Sequence, residues 1–94
     1  MMDEQIYLSN LYDYYKDLLT DLQKRYFEDY YFDNLTMEEI ANNFSVTKNA
    51  ISKALKEVKE KLEYYESKLK LYHNRLMIEK LLDNDTFGKI EKYI

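Results

Sequence analysis

The stretch Leu35–Lys56 reads LTMEEIANNFSVTKNAISKALK and has the spacing of a helix-turn-helix. Two short helices that cross steeply need a small residue where they touch, and Ala41 stands at that position. The apolar residues around it are spaced to bring both helices into one small core: Ile40, Phe44, Val46, Ile51 and Ala54. The pattern predicts a helix-turn-helix over about residues 36–56, and the plainer alternative is a helical hairpin without a ligand.

Capping signals mark the start of both helices in this stretch. Thr36 followed three residues later by Glu39 is a capping box, in which each side chain accepts a hydrogen bond from an orphan backbone amide. Thr47 caps the second helix alone, because no acid follows three residues on. The intervening turn needs a left-handed backbone, and of the candidates Asn43 and Ser45 we expect Asn43, since asparagine tolerates that geometry better.

The composition favours a single, nearly all-helical domain. The chain has 94 residues, 46% of them hydrophobic, with no proline and one glycine, Gly88, so only short polar turns interrupt helices. Cysteine is absent, which excludes disulfides, thiolate chemistry and the usual structural zinc sites. The first ten residues are acidic and lack an apolar run, so we expect no signal peptide or membrane span and a cytoplasmic protein.

Helical spacing of apolar residues continues on both sides of the helix-turn-helix. It predicts a first helix over about residues 3–19 and a second over about residues 21–33. The second begins at another capping box, formed by Thr20 and Gln23. After the recognition helix we expect a long helical arm over about residues 57–82 and a short terminal helix over about residues 86–94. The predicted fold class is all-α: a helix-turn-helix domain with a long C-terminal helical arm, in a single helical domain over residues 1–94.

The arm carries an unbroken heptad seam, in which apolar residues alternate steps of four and three. The seam consists of Ile51, Leu55, Val58, Leu62, Tyr65, Leu69, Tyr72 and Leu76. Such an arm projects farther than a small core covers, so either the first two helices or a second copy of the chain must bury it. We expect a homodimer in a mixed arrangement, since tyrosines weaken a pure two-stranded zipper. The residues expected in self-association are Leu55, Val58, Leu62, Tyr65, Leu69 and Tyr72.

Charge is unevenly distributed along the chain. The net charge is −4, and residues 1–39 carry ten acidic against three basic side chains. Residues 40–61 carry five lysines against two glutamates, so the net-basic segment coincides with the recognition helix. A nucleic-acid-binding face is predicted on the side of this helix opposite its apolar residues, consisting of Lys48, Asn49, Ser52, Lys53 and Lys56. The alternative is a merely solvated lysine face.

Sequence-specific reading of DNA is not expected from this face. The commonest specific contact is arginine to guanine, and both arginines, Arg25 and Arg75, lie off the recognition helix. Asn49 alone has bidentate chemistry there and favours adenine. The composition of this face therefore favours contacts to phosphates, or to an RNA backbone, over the reading of a DNA sequence. The eleven tyrosines could stack on bases, but as a group they are better explained by the codon bias of a low-GC genome and by packing on apolar helical faces.

No catalytic set or cofactor site can be assembled from the sequence. The single histidine, His73, has no thiol to activate, and no serine motif indicates a triad. The carboxylate pairs Glu38-Glu39 and Asp83/Asp85 stand at helix ends, where acids are expected for local reasons. These observations predict a noncovalent binding protein rather than an enzyme, with no cofactor or metal.

The run Leu18–Lys56 resembles the YlxM family of helix-turn-helix proteins associated with the signal recognition particle. The family shows Leu-Leu-Thr, Gln, Tyr-Phe and Tyr-Tyr at fixed spacing, then Glu-Ile-Ala and a Val-Ser/Thr start to the recognition helix. The matching positions here are Leu18-Leu19-Thr20, Gln23, Tyr26-Phe27, Tyr30-Tyr31, Glu39-Ile40-Ala41 and Val46-Thr47. The resemblance implies an accessory or regulatory component of protein targeting, with the particle's RNA or its GTPase as partner.

A more distant similarity is to region 4 of bacterial sigma factors, which reads DNA. Where relatives carry Ser-Arg-Gln-Ala-Val-Tyr-Asp, this chain has Thr47-Lys48-Asn49-Ala50-Ile51-Ser52-Lys53, so lysine and asparagine replace arginine and glutamine at the reading face. The alternative function is therefore a DNA-binding transcriptional regulator of this type. A third possibility is a protein adapter that keeps the motif only as a fold.

Overall fold

The computed structural model describes residues 3–94, which form α-helices and two short 3-10 segments without any strand. The helices are α1 (Glu4–Tyr15), α2 (Asp21–Tyr31), α3 (Met37–Phe44), α4 (Lys48–Leu69), α5 (Leu71–Leu81) and α6 (Asn84–Ile90). The 3-10 segments are Lys16–Leu18 and Glu91–Tyr93. The all-α prediction is confirmed. The first ten residues, for which we expect no signal peptide, begin with Met1 and Met2. These two residues lie outside the described part of the chain. None of the described helices combines the length and apolar character needed to cross a membrane.

The predicted capping residues start the helices to which they were assigned. Thr20 and Thr36 each accept a 3.1 Å hydrogen bond from the amide three residues on, and each box is closed by the reciprocal side chain. Thr47 caps α4 by accepting from the Ala50 amide at 3.1 Å. Helix α1 is shorter than predicted, because the chain tightens into a 3-10 turn after Tyr15 instead of continuing to Leu19.

The helix-turn-helix consists of α3 and α4 packed on α2. Ala41 is buried at their crossing, as predicted, in a cluster with Tyr26, Ile40, Ile51 and Leu55. The prediction that Val46 belongs to this core is wrong, because its side chain is 40% exposed. The physical reason is that Val46 belongs to the turn, where its backbone N–H closes the end of α3.

The turn residue with left-handed backbone is Ser45, at φ 56° and ψ 43°, and not Asn43, which is helical. The Ser45 amide donates to the Asn42 carbonyl at 3.3 Å, and the Val46 amide donates to the Ala41 carbonyl at 3.0 Å. These two bonds form a Schellman motif, which satisfies the last carbonyls of α3. Because α3 ends at Phe44, the left-handed position falls on Ser45, although asparagine adopts this backbone conformation more readily.

The heptad seam is buried within a single chain, because α1 and α2 pack on it rather than a second copy. Its central residues lie in a cluster with α1 and α2, built from Leu8, Leu11, Tyr12, Tyr15, Leu19, Phe27, Val58, Leu62 and Tyr72. Of the six residues predicted for self-association, Leu55, Val58, Leu62 and Tyr72 are buried and Tyr65 is partly buried. Leu69 alone is exposed, at 50%. In this conformation the seam is therefore core except around Leu69, which stays open to solvent.

The arm predicted over residues 57–82 is two helices rather than one. Lys70 adopts a left-handed backbone, at φ 55° and ψ 30°, and separates α4 from α5. The break is possible because the Tyr15 hydroxyl and the Glu66 carboxylate accept hydrogen bonds from the first three amides of α5. The terminal helix begins at Asn84 behind an Asp83 cap, two residues earlier than predicted, and ends in the 3-10 segment.

Candidate nucleic-acid interface

The first turns of α4 bring the five predicted nucleic-acid-binding residues onto one exposed face. Lys48, Asn49, Ser52, Lys53 and Lys56 are all exposed. Ile51 and Leu55 point the other way, into the helix-turn-helix core, and fix the rotation of α4 about its axis. The arrangement gives an accessible polar surface with positive charge, as a recognition helix requires. Binding by these residues remains a prediction.

Lys48 is partly neutralised by the helix that precedes the turn. Its Nζ lies 3.6 Å from Glu38 Oε1, and both side chains are largely solvated. An exposed ion pair of this kind contributes little to stability and is readily exchanged. A phosphate must therefore compete with Glu38 for Lys48.

Two of the five lysines in the basic segment contact α1 or α2 and do not belong to the exposed face. Lys59 pairs with Glu4 of α1 and with Glu63 at 4.0 Å, and the hydrogen bond that its ammonium donates to Glu4 raises the pKa of Lys59. Lys61 Nζ donates to Gln23 Oε1 of α2 at 3.1 Å. These contacts attach α4 to α1 and α2. The ion pairs among residues 3–94 include neither Lys53 nor Lys56, so within the basic segment these two are the cations most available to an anionic ligand.

The helix before the turn is acidic. Helix α3 carries Glu38 and Glu39 and no basic residue. Glu39 accepts from the Thr36 amide at 3.1 Å, so its carboxylate is fixed at the start of α3. In helix-turn-helix complexes with DNA the first helix of the motif crosses the phosphate backbone. The charge of α3 opposes that docking.

A cleft beside Lys48 was not anticipated from the sequence. It encloses about 820 Å³ where the start of α1 approaches the α2–α3 connection, and its lining includes Glu4, Tyr30, Tyr31 and Glu38. Burial and the nearby Glu4 carboxylate raise the pKa of Tyr31. The acidic bias of residues 1–39 was the available signal, but only the fold brings these separated segments together. Within the described part of the chain, no group of three His, Cys, Asp or Glu residues could hold a metal ion.

A family model matches residues 2–92 of the chain, and its description reads "Putative helix-turn-helix protein, YlxM / p13 like". A UPF0122 protein of Oceanobacillus iheyensis is 33% identical over 94 residues, which cover all of this chain and 90% of the relative. A relative from Listeria innocua is 39% identical over 83 residues, or 88% of this chain and 76% of the relative.

Two further relatives are matched over less of their own length. The UPF0122 protein of Lactiplantibacillus plantarum is 42% identical over 67 residues, which cover 71% of this chain and 58% of the relative. For the Halalkalibacterium halodurans relative, 38% identical, the match covers 65% of its length. The chain thus spans less than two thirds of these two relatives, although it spans nearly all of the Oceanobacillus protein. The extent of the family match and these identities show that the chain belongs to the UPF0122 family of YlxM/p13-like helix-turn-helix proteins.

Proposed function

We propose that this protein binds a nucleic-acid backbone through the exposed face of α4, and that its partner is the RNA of the signal recognition particle in the cytoplasm. The observation that carries the proposal is the pair Lys53 and Lys56, both exposed and without an ion pair among the described residues. Asn49 and Ser52 lie on the same exposed face and supply hydrogen-bonding groups beside the two charges. Membership of a helix-turn-helix family supports the use of this helix for binding.

Several features favour RNA over promoter DNA. Duplex DNA docked in the usual way would bring phosphates against Glu38 and Glu39 of α3. The face also lacks the arginine that most often reads guanine in the major groove. RNA is recognised largely through shape, phosphates and 2′-hydroxyls, for which two lysines and two small polar side chains are suited. The particle as partner comes from the resemblance to the YlxM family.

The expected affinity is modest, which suits an accessory component. Two free lysines and a third held by Glu38 neutralise few phosphates, and each phosphate contact contributes a small salt-dependent term. Such a protein would act on a particle already assembled from RNA and its GTPase, and would modify the particle's activity rather than hold it together.

The alternative function is DNA-binding regulation of the sigma region 4 type. The helix-turn-helix geometry itself favours it, because the face of α4 opposite Ile51 is accessible along its first turns. The two functions differ in ligand and in sequence selectivity, so one binding experiment separates them.

The test compares the wild type with Lys53→Glu/Lys56→Glu by fluorescence anisotropy, at low and physiological salt. The probes are the particle RNA and a DNA duplex of equal length. The matched control is Lys80→Glu/Lys89→Glu, which changes the net charge equally on exposed residues of α5 and α6. We expect salt-sensitive binding to the RNA, its loss in the Lys53/Lys56 variant, and its retention in the control. Circular dichroism shows whether each variant keeps its helices.

Other outcomes would contradict the proposal in distinct ways. Tighter, sequence-selective binding to DNA would support the regulator. Equal losses in both variants would show that only net charge matters and that α4 presents no specific face. Absence of binding to either probe, with retention of the particle's GTPase in a ribonuclease-treated pull-down, would favour a protein adapter.

A further inference from the structure

The connection between α4 and α5 is a single residue in an unfavourable conformation. Lys70, at φ 55° and ψ 30°, lies in the left-handed region, which residues other than glycine and asparagine rarely adopt. Its amide still donates to the Glu66 carbonyl at 2.9 Å, so α4 is regular up to this residue. Helix α5 begins at the next residue. A change in the backbone conformation of Lys70 alone would therefore join α4 and α5 into one helix.

The heptad seam passes through this break without losing phase. The steps from Tyr65 to Leu69, Tyr72 and Leu76 are four, three and four, which continue the alternation of the seam before Tyr65. If Lys70 were right-handed, residues 48–81 would form one helix of about 34 residues, roughly 50 Å long. Its seam would run along one side. The sequence is thus compatible with a continuous helix as well as with the broken one.

The backbone hydrogen bonds are balanced between the two conformations. In the broken form the Leu71 amide donates to Tyr15 Oη at 3.1 Å. The Tyr72 and His73 amides donate to Glu66 Oε1 and Oε2 at 3.2 and 2.9 Å. In a continuous helix the same three amides would donate to the carbonyls four residues earlier. Straightening therefore gives each of the three amides a new acceptor, while the Glu66 carboxylate exchanges two amide donors for water and keeps the Tyr15 hydroxyl.

The contacts of α5 with α1 are what the chain alone would lose on straightening. The Tyr72 ring packs against Tyr7 and Tyr14, at centroid separations of 6.0 and 6.4 Å, and Asn10 Nδ2 donates to its hydroxyl at 3.3 Å. A straight helix would carry Tyr72 away from α1 of its own chain. A second copy is the occupant that can restore every one of these contacts, because it presents the same residues.

Exposed leucines mark the region where two copies would meet. Leu69 and Leu71 flank the hinge, and their side chains are 50% and 44% exposed. Side chains next to a hinge lie near the twofold axis of an exchanged dimer, so they become buried against their counterparts. The broken form leaves them in water.

We propose that the chain forms a dimer by reciprocal exchange, in which α4 and α5 fuse through Lys70 and α5 of each copy packs on α1 of the other. The exchanged dimer keeps the packing of α5 on α1, now between copies, and adds the contacts of Leu69 and Leu71. It also explains the uninterrupted seam. The assembly would carry two copies of the Lys53/Lys56 face, a consequence separate from whether that face binds nucleic acid.

The test is a matched pair of substitutions at the exposed hinge residue. Lys70→Gly removes the cost of the left-handed backbone and favours the broken monomer. Lys70→Ala keeps that cost and favours a continuous helix. Because each dimer contains two hinges, we expect the dissociation constants of the two variants to differ on the order of a hundredfold, with Lys70→Ala the tighter dimer. Sedimentation velocity over a range of concentrations measures this, and circular dichroism verifies that both variants are helical.

The results separate exchange from ordinary association. A dimer formed only through exposed leucines would be equally stable in both variants, which would overturn the proposal. Monomers at every soluble concentration for both variants would overturn it as well. Leu71→Ala provides a second readout, since it should weaken the Lys70→Ala dimer while leaving the Lys70→Gly monomer folded.

Discussion

The hydroxyl of Tyr15 in α1 donates a 2.6 Å hydrogen bond to Glu66 Oε1 near the end of α4, and both side chains are buried. Together they accept from the first three amides of α5. A pair of residues 51 positions apart thus caps a helix to which neither belongs. This contact satisfies the amides that the break at Lys70 would otherwise leave without acceptors, and so holds α5 in its place beside α1.

Removing the Glu66 carboxylate should destabilise the broken fold. Glu66→Ala leaves two α5 amides and the Tyr15 hydroxyl without their acceptor, and we expect the free energy of unfolding to fall by about 2 to 4 kcal/mol. Urea denaturation at low protein concentration measures the change. Glu63→Ala, one turn earlier and exposed, should cost less than about 0.5 kcal/mol. Similar losses at both positions would show that the cap is unimportant.

The Tyr15 hydroxyl should make stability depend on alkaline pH. Burial, and then the hydrogen bond to Glu66, raises the pKa of Tyr15 from 10.0 to about 12. Because the folded-state pKa is the higher one, this stabilisation is fully present below about pH 10 and is lost as the pH rises through about 12. Tyr15→Phe should remove that component, at most about 2.7 kcal/mol, so the stability of this variant should fall less steeply than that of the wild type. Tyr64→Phe, at an exposed site, should retain the wild-type slope in pH-dependent denaturation.

Enlarging the residue at the helix crossing should destabilise the helix-turn-helix. Ala41→Leu forces extra methyl groups between α3 and α4 and should lower the free energy of unfolding by about 1 to 3 kcal/mol. The control is Ala50→Leu, the same substitution on the exposed side of α4. A melting temperature unchanged by Ala41→Leu would mean that the crossing tolerates the added volume.

Glycine at the turn should stabilise the protein. Ser45 has φ 56°, a conformation that costs a residue with a side chain more than it costs glycine. We expect Ser45→Gly to raise the free energy of unfolding by about 0.5 to 1 kcal/mol. Ser52→Gly, in the second turn of α4, should lower it by a similar amount because glycine is a poor helix former. Thermal denaturation of the two variants should therefore shift in opposite directions.

The salt dependence of nucleic-acid binding should report how many lysines are free. Four phosphate contacts would give a slope of log K against log salt near −3.6 on duplex, whereas Lys53 and Lys56 alone give about −1.8. Glu38→Gln releases Lys48 and should tighten binding and steepen the slope by about 0.9. Glu79→Gln changes the net charge equally on α5 and should leave the slope unchanged. A steeper slope in both variants would contradict a local role for Glu38.

The sequence by itself determined where α2, α3 and α4 begin and how the helix-turn-helix is built. The caps at Thr20, Thr36 and Thr47 were predictable because each hydrogen bond joins residues three apart. The burial of Ala41 followed from the spacing of apolar residues around it. The exposed lysine face of α4 was predictable for the same reason, since helical periodicity places it opposite Ile51 and Leu55.

Only the tertiary structure decided what covers the seam and which charges remain free. The heptad pattern is the same whether α1 or a second copy packs on it, so local spacing could not choose between them. The break at Lys70 depends on Tyr15 and Glu66, and the loss of Lys59 from the basic face depends on Glu4. These contacts join residues more than fifty positions apart, and their free energy exists only once the helices have packed.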